Sequence, residues 1–339
     1  MSSLHQGPEV RRAVIAGTGS YIPARRVTNA ELEATVQTND EWIVQRTGIR
    51  ERRVAAPDEA SSDMAAAAAR AALADAGVDA AQVDLIIVAT CTPDMVFPNT
   101  ASAVQQKIGA TRAAACLDLN AACSGFVYAL EVGAKFVASG SHQCVLVIGA
   151  EKMSCITDWQ DRGTCILFGD GAGACVLRPG FGRVGVLDCM MEADGSLGNL
   201  LYVPAGGSRQ PATPESVAAR QHFIRMEGRE VFKHAVTNMT RSVQQLLERN
   251  HLTSEDVHLV IPHQANERII SAVRDKLGMP PKKVFMNLER YGNTSAASVG
   301  MAIDEAARTG LLRRGDVLVL VAFGAGFTWG TTLIIWDKD

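Results

Sequence analysis

The chain has 339 residues, of which 47% are hydrophobic and 20% charged, enough for a large core in two domains or one doubled domain. A net charge of −3 at pH 7 argues against nucleic acid or an anionic membrane as the main partner, and no apolar run is long enough to span a bilayer. Residues Met1 to Glu9 lack the apolar stretch of a secretory signal, and eight cysteines with no CxxC pair or zinc spacing predict reduced, mostly buried thiols in a cytoplasmic protein without a metal site.

Residues 1–10 read as a loose tail. Ala13 to Gly17 predicts a buried strand ending in a Gly turn. Glu31 to Arg46 carries an amphipathic helix with a break at Asn39-Asp40, and Arg46 to Arg53 reads as a basic loop. Ser61, Ser62 or Asp63 caps a helix of nearly pure Ala and Leu that Gly77 closes. So many Ala residues predict close packing. Val83 to Ala89 is an apolar run broken only by Asp84, the pattern of a strand buried on both faces. After a loop with Phe97 and residues 100–108 as a helix comes Leu119 to Phe126, a strand or turn running into a helix. Phe126, Leu130 and Ala134 fall on one face of that helix, and Glu131 and Lys135 pair on another. Strands at Val145 to Ile148 and Ala174 to Leu177 complete the first half.

From about residue 183 the pattern restarts. Arg183 to Leu187 mirrors the first strand, and Gly77 to Ile87 matches His251 to Ile261, an offset of 174 (257 − 83). The same offset sets Cys123-Ser124 on Ala297-Ser298, each opening a helix. Two copies of one α/β unit follow, residues 11–182 and 183–339. Strands alternating with helices imply sheets covered by helices on both sides. The repeat breaks at three chemically active positions: Cys123 in the first copy, and His263 and Asn293 in the second.

Each of these residues has two readings. Cys123 is a small buried residue beside Ala121 and Ala122, or a nucleophile whose thiolate is favoured by the positive end of a helix. His263 follows a buried strand stopped by Pro262, and is either a hydrogen-bonded structural residue or part of a site at the strand's C-terminal end. Asn293 is a Gly-Asn turn or cap, or an amide donor. Together a Cys nucleophile, a His and an amide suit acyl transfer, with the latter two donating to an oxyanion.

The segments N-A-A-C-S-G-F, P-H-Q-A-N, G-N-T-S-A-A-S and F-G-A-G-F-T-W-G resemble β-ketoacyl-acyl-carrier-protein synthase III, of the thiolase superfamily. So do D-E-W-I-V-Q-R-T-G-I-R-E-R and the run from Asp161 to Ala174, and the resemblance covers residues 11–336 in order. It implies a thiolase-like α/β fold, two duplicated halves forming a layered α-β-α-β-α core. It also implies that Cys123 takes an acyl group from acyl-CoA. Malonyl-acyl carrier protein then loses CO2, and His263 and Asn293 stabilise the enolate that attacks the acyl-Cys. The product is a 3-oxoacyl-acyl carrier protein, the first step of fatty acid synthesis. No cofactor is implied, since the coenzyme A thioester is a substrate. The N–H groups of Cys123 and of the loop Gly324, Ala325 and Gly326 would form an oxyanion hole. Ala325 stands where the family often has Gly, a change that keeps the N–H.

By the same resemblance Trp42 and Arg162 flank the CoA adenine, and Arg46, Gly228, Phe232, Asn266 and Arg268 line the pantetheine path. Phe168 and Phe323 border the acyl pocket, with Phe97 supplied by the partner of a homodimer. Lys233, Arg268, Arg274 and Lys276 supply a basic rim for the acidic carrier protein, diluted by Glu267 and Asp275. The glycine run at 169–173 is followed by a strand rather than a helix, so it reads as tight packing near the site and not as a nucleotide loop. The competing functions are an acyltransferase or condensing enzyme of specialised metabolism and, in another class, a non-catalytic acyl-CoA-binding protein. A binder has no need of a nucleophile. A degradative thiolase lacks support because Gly324 to Gly330 holds no second Cys, and Asn293 disfavours the condensing enzymes with two His residues.

Overall fold

The structure, a computed structural model, describes residues 10–110 and 112–339, so the expected tail lies almost wholly outside it. Strand β1 (Arg11–Tyr21) is followed by a two-stranded ribbon, β2 (Arg25–Thr28) and β3 (Glu51–Val54), which brackets helices α1 (Asn29–Glu33) and α2 (Asp40–Thr47). Then come α3 (Ser61–Ala76), β4 (Leu85–Ala89), α4 (Thr100–Ile108), β5 (Ala115–Leu119), α5 (Gly125–Ala138), β6 (Val145–Lys152), α6 (Arg162–Cys165) and β7 (Asp170–Phe181). The second half opens with β8 (Gly185–Ala193), β9 (Leu201–Tyr202), α7 (Pro214–Ala218), β10 (Arg225–Met226) and α8 (Gly228–Arg249). It closes with β11 (Leu259–Pro262), α9 (Glu267–Lys276), α10 (Leu288–Tyr291), α11 (Ala297–Arg308), β12 (Val317–Gly324) and β13 (Thr328–Ile335).

The strand order repeats. The first sheet runs β1-β7-β6-β4-β5 and the second β8-β13-β12-β11. Val284 bridges to Val260 of β11 at the position that β5 occupies in the first sheet. In both sheets the central pair is parallel and the two strands beyond it are antiparallel. Side chains alternate across a strand, and that alternation builds the layers. Leu85, Ile87 and Ala89 of β4 face inward, joining Phe126 and Leu130 of α5, Val299 and Ile303 of α11, and Leu259, Ile261, Leu318 and Leu320 of the other sheet. Ile86 and Val88 face outward onto α3 and α4. Val260, Val319 and Val321 face outward onto α8 and α9. Helices therefore cover both outer faces, and α5 and α11 lie buried between the sheets, giving five layers.

Three expectations change. The first strand does not end at Gly17: β1 runs on to Tyr21. Gly17 and Gly19 are there because a Cβ at either would collide with α3 backbone at Ala72 and Ala68, which is the close packing that the Ala-rich helix predicted. Helix α3 has Ala60 as its N-cap residue, and Asp63 accepts the Ala60 N–H at 2.9 Å. Ser61 and Ser62 turn away, their hydroxyls donating to Thr92 O and Asp94 Oδ2. The basic segment is not all loop, since Glu51 to Val54 forms β3. Arg52 is fully buried, its guanidinium donating to Val27 O, Asn29 Oδ1 and Ile166 O. The break at Asn39 is real: Asn39 caps α2 by accepting the Trp42 N–H at 2.8 Å.

The glycine run fits against the central helices. A Cβ on Gly173 would strike the backbone of Met301 and Gly300 in α11. Gly173→Ala is expected to lower the unfolding free energy by about 1–3 kcal/mol. A urea titration reads this as a lower midpoint at unchanged slope; an unchanged midpoint would mean that the layers have slack.

Candidate active site

The chain turns sharply after β5. Asn120 Oδ1 accepts the Ala122 N–H at 3.1 Å, and Ala122 takes a φ of +46°, a left-handed value costly for a non-glycine residue. A single helical turn, Ala122 to Ser124, carries Cys123 and leads into α5. Gly125 lets this start wedge between the layers, since a Cβ there would lie 3.2 Å from the Ala89 Cβ and 3.4 Å from the Ala296 Cβ. Ser124 Oγ donates to Ala121 O at 2.8 Å and meets Thr328 Oγ1 at 2.7 Å, which ties the cysteine turn to β13. Cys123 is buried. Burial pushes its thiol up to about 12, opposed by a hydrogen bond from Ser295 and reinforced by the negative charge of Glu151. This corrects the sequence expectation of a ready thiolate: desolvation outweighs the helix end, and the resting group is the neutral thiol. All eight cysteines are free: Cys123, Cys144, Cys165 and Cys175 are buried, Cys91, Cys116 and Cys189 half-buried, and Cys155 exposed.

His263 follows β11, its N–H donating to Val321 O at 2.7 Å. Its Nδ1 lies 2.7 Å from Ser298 Oγ on α11. The Gln264 N–H donates to the same Oγ at 3.4 Å, so the hydroxyl hydrogen is free to go to Nδ1, and the ring hydrogen then sits on Nε2. Burial holds the imidazole down to about 3, so it is neutral at pH 7. Asn293 is fixed by its backbone: its N–H donates to Leu167 O at 2.8 Å and its C=O accepts from the Gly169 N–H at 3.0 Å. Its Oδ1 accepts the Ser295 N–H at 2.9 Å, and because a backbone N–H only donates, Nδ2 is the amide's remaining end. His and Asn thus both present hydrogen-bond donors.

Cys123, His263 and Asn293 line one cavity of about 460 Å³. Of the other residues expected at the site, Trp42, Arg46, Gly228, Phe232, Asn266, Arg268, Phe168 and Phe323 line it too. Arg162 stands beside it through Gly163, its guanidinium 4.7 Å from the Trp42 ring centroid, while Arg46 lies 4.4 Å from the same ring. Asn266 Nδ2 donates to Arg46 O at 3.0 Å, which joins α9 to α2 at the mouth. Gly324 lines the cavity beside Cys123; a Cβ on it would come within 2.7 Å of the Cys123 backbone N. Ala325 and Gly326 are half-buried and do not line it. Phe97 is 83% exposed on the loop after β4, away from this cavity.

Arg268 packs its guanidinium 5.6 Å from the Phe232 ring. Lys233 is exposed with Glu230 at 3.9 Å, Arg274 is held by Asp275 at 2.7 Å, and Lys276 is exposed; none of these three lines the cavity. Arg229, which the sequence did not single out, does line it. The sequence reading also missed Ser298 and Ser295, although both sit in the segment quoted for Asn293. Glu151 was missed as well; a carboxylate ending the apolar run of β6 is the signal that would have found it.

A duplicated α/β fold with a buried thiol at a central helix start, sharing a cavity with a His and an amide from the other half, fits a condensing acyltransferase of the thiolase fold. The family models for 3-oxoacyl-[acyl-carrier-protein] synthase III match residues 117–195, and for its C-terminal part residues 247–336. A β-ketoacyl-[acyl-carrier-protein] synthase III of Caldanaerobacter subterraneus is 53% identical over 326 residues, covering 96% of this chain and 98% of that one. The crystal structure of the Aquifex aeolicus 3-oxoacyl-[acyl-carrier-protein] synthase III is 46% identical, with a TM-score of 0.88 over 96% of this chain and 100% of that chain. The priming β-ketosynthase of a polyketide biosynthetic pathway is 36% identical, with a TM-score of 0.90 over 99% of both chains. The chain belongs to the β-ketoacyl-[acyl-carrier-protein] synthase III family.

Proposed function

We propose that the protein condenses an acyl-CoA primer with malonyl-acyl carrier protein, releasing CO2 and coenzyme A and giving a 3-oxoacyl-acyl carrier protein. The observation that carries this reading is the pair of donors opposite the thiol, His263 Nε2 and Asn293 Nδ2, each fixed by a bond at its other end. Cys123 attacks the thioester and becomes acylated. The malonyl thioester then enters with its carbonyl oxygen between the two donors. Loss of CO2 makes an enolate there without a strong base, and its carbon attacks the acyl-Cys. The N–H groups of Cys123 and of the Gly324 loop serve the acyl oxygen. In this division residues 11–182 supply the nucleophile and residues 183–339 the enolate site.

The Trp42 indole with the Arg162 and Arg46 guanidinium groups supports binding of the adenine of coenzyme A by flat stacking. Trp42→Ala is expected to raise KM for acyl-CoA by about 2- to 30-fold. With kcat little changed in steady-state assays, that split marks lost ground-state binding. Arg229 and Arg268 at the mouth, with Lys233 nearby, are the best supported cations for an acidic carrier protein. The exposed Met95, Val96 and Phe97 and the free edge of β5 support a homodimer in which Phe97 reaches the other protomer's acyl pocket. Among the described residues no helix is long and apolar enough to cross a membrane, in keeping with the cytoplasmic location that we infer.

Intact mass spectrometry with a chain-length series of acyl-CoA tests the reading. The protein should gain one acyl group, lost again with CO2 release when malonyl-acyl carrier protein is added. An unmodified protein across the series overturns it. The likeness to a priming ketosynthase of a polyketide pathway favours one second reading, the same chemistry serving specialised metabolism, and the preferred primer in that series separates the two.

A further inference from the structure

The end of strand β6 packs on the turn that carries Asn293. Gly149 and Glu151 lie two residues apart in that strand, so they point to the same face. Gly149 makes room, since a Cβ there would strike the Ala296 carbonyl oxygen. Glu151 is fully buried, does not line the cavity, and gathers hydrogens from two segments. From the loop after β4 come the N–H groups of Cys91 at 3.1 Å and Thr92 at 3.2 Å, the hydroxyls of Thr90 at 3.1 Å and Thr92 at 2.6 Å, and the Cys91 thiol at 3.3 Å. From the turn into α11 come the Ser295 hydroxyl at 3.0 Å and the Ala296 N–H at 3.4 Å. The Thr90 and Thr92 hydroxyls each accept a backbone N–H, of Thr92 at 3.1 Å and of Lys152 at 2.9 Å, which leaves their own hydrogens for Glu151. None of these donors is a cation, and a buried carboxylate without one is costly.

What the carboxylate holds on the α11 side is a strained backbone. Ser295 is buried at a φ of +47°, in the left-handed region that a residue with a Cβ occupies at a cost. In that conformation its N–H donates to Asn293 Oδ1 at 2.9 Å, the bond that leaves Nδ2 as the amide's free end. Helix α11 fixes the chain that follows, so relaxation of Ser295 to a negative φ would swing its N–H away from Asn293. We propose that Glu151 is a positioning residue for the enolate site: it clamps Ser295 in the left-handed conformation, and Ser295 thereby keeps the Asn293 amide turned with its donor towards the substrate. The inference rests on Asn293 as an enolate donor and adds what fixes the orientation of that donor.

A carboxylate suits this task because it has two acceptor oxygens. Oε2 takes the hydrogens of Thr90 and Thr92, Oε1 those of Ser295 and Ala296, and the Cys91 N–H lies between them at 3.2 and 3.1 Å. An amide in its place has one acceptor oxygen and would present hydrogens to one of the two segments. Glu151 belongs to residues 11–182 and Asn293 to residues 183–339. The half that supplies the nucleophile therefore also aims a donor of the other half, and the path between them runs through Ser295.

The test is CO2 release from malonyl-acyl carrier protein, measured without acyl-CoA so that the thiol takes no part. Ser295→Ala removes the clamped hydroxyl and leaves the strained Cβ, and should lower the rate by about 10- to 100-fold. Ser295→Gly also removes the hydroxyl, but glycine takes a positive φ without strain, so it should lose only a few-fold. A hydroxyl with a chemical part of its own would make the two losses equal. In an Asn293→Ala background, where no amide is left to be turned, either substitution should cost less than about twofold more. Glu151→Ala should match Ser295→Ala and add little to it in the double variant; the Ser295 pair decides the matter if Glu151→Ala does not fold. Undiminished release in Ser295→Ala, equal losses in the two Ser295 variants, or losses that multiply with that of Asn293→Ala overturn the clamp. An Asn293→Ala protein that releases CO2 as fast as the wild type overturns the enolate reading and the clamp together, whereas a slow Asn293→Ala beside a Ser295→Ala of wild-type rate overturns the clamp alone.

Discussion

Cys123→Ala is expected to remove the acyl-enzyme mass entirely and to lower condensation by about 10⁶-fold, the scale of losing a nucleophile in other covalent enzymes. The fold should survive, since the change removes one buried sulfur and leaves the hydrogen bonds of Asn120, Ser124 and Thr328 around the turn in place. The two half-reactions should separate. Decarboxylation of malonyl-acyl carrier protein needs the donors of His263 and Asn293 and not the thiol, so CO2 release should persist in the variant without any 3-oxo product. Product formation at the wild-type rate would remove Cys123 from the chemistry. Simultaneous loss of CO2 release, with a native unfolding midpoint, would mean that the thiol also helps to bind the malonyl group.

The layered fold was legible because its strands obey simple periodicities. Leu85 to Ala89 is apolar at every position since β4 has helices on both sides, and the repeat at an offset of 174 (257 − 83) corresponds to two sheets with one strand order. The trio of Cys123, His263 and Asn293 was legible as the places where the repeat breaks, and they do meet on one cavity. What the sequence could not yield depends on contacts between distant segments. Arg52 looked like part of a charged loop because nothing local says that three acceptors from the chain surround it. Gly17 looked like a turn because its reason for being Gly is a helix that comes some fifty residues later. The thiol looked activated because its helix start is local, whereas the burial that raises its pKa is assembled from both halves. Ser298 was invisible for the same reason: its role exists only through Nδ1 of a residue on another element.

Removing one enolate donor should cost about 10²- to 10³-fold in condensation, the range for a single oxyanion-hole donor. His263→Ala deletes the Nε2 donor. Asn293→Asp keeps the oxygen that accepts the Ser295 N–H at 2.9 Å, so the turn holds, but it replaces the Nδ2 donor with negative charge beside a developing enolate. Acylation of Cys123 by acyl-CoA should remain in both variants, because neither donor is needed for attack on the first thioester. Intact mass and CO2 release measured on the same samples check this, and equal CO2 release in variants and wild type would dissociate the pair from the enolate. The wild-type profile carries a second signature. The folded pKa of His263 is about 3, below the ordinary value for histidine, so the neutral donor is intact through the weakly acidic and neutral range. Decarboxylation should show no histidine limb as pH falls through about 6.5, the value of a free imidazole. Stability should respond where activity does not. The unfolded chain binds the proton that the folded site refuses, so the contribution of neutral His263 is fully present above the unfolded value and is lost as pH falls from there towards about 3. A histidine that served as general base would instead give an activity limb near its own pKa, and that limb would disappear in His263→Ala; the fixed-donor arrangement requires that no such limb exist.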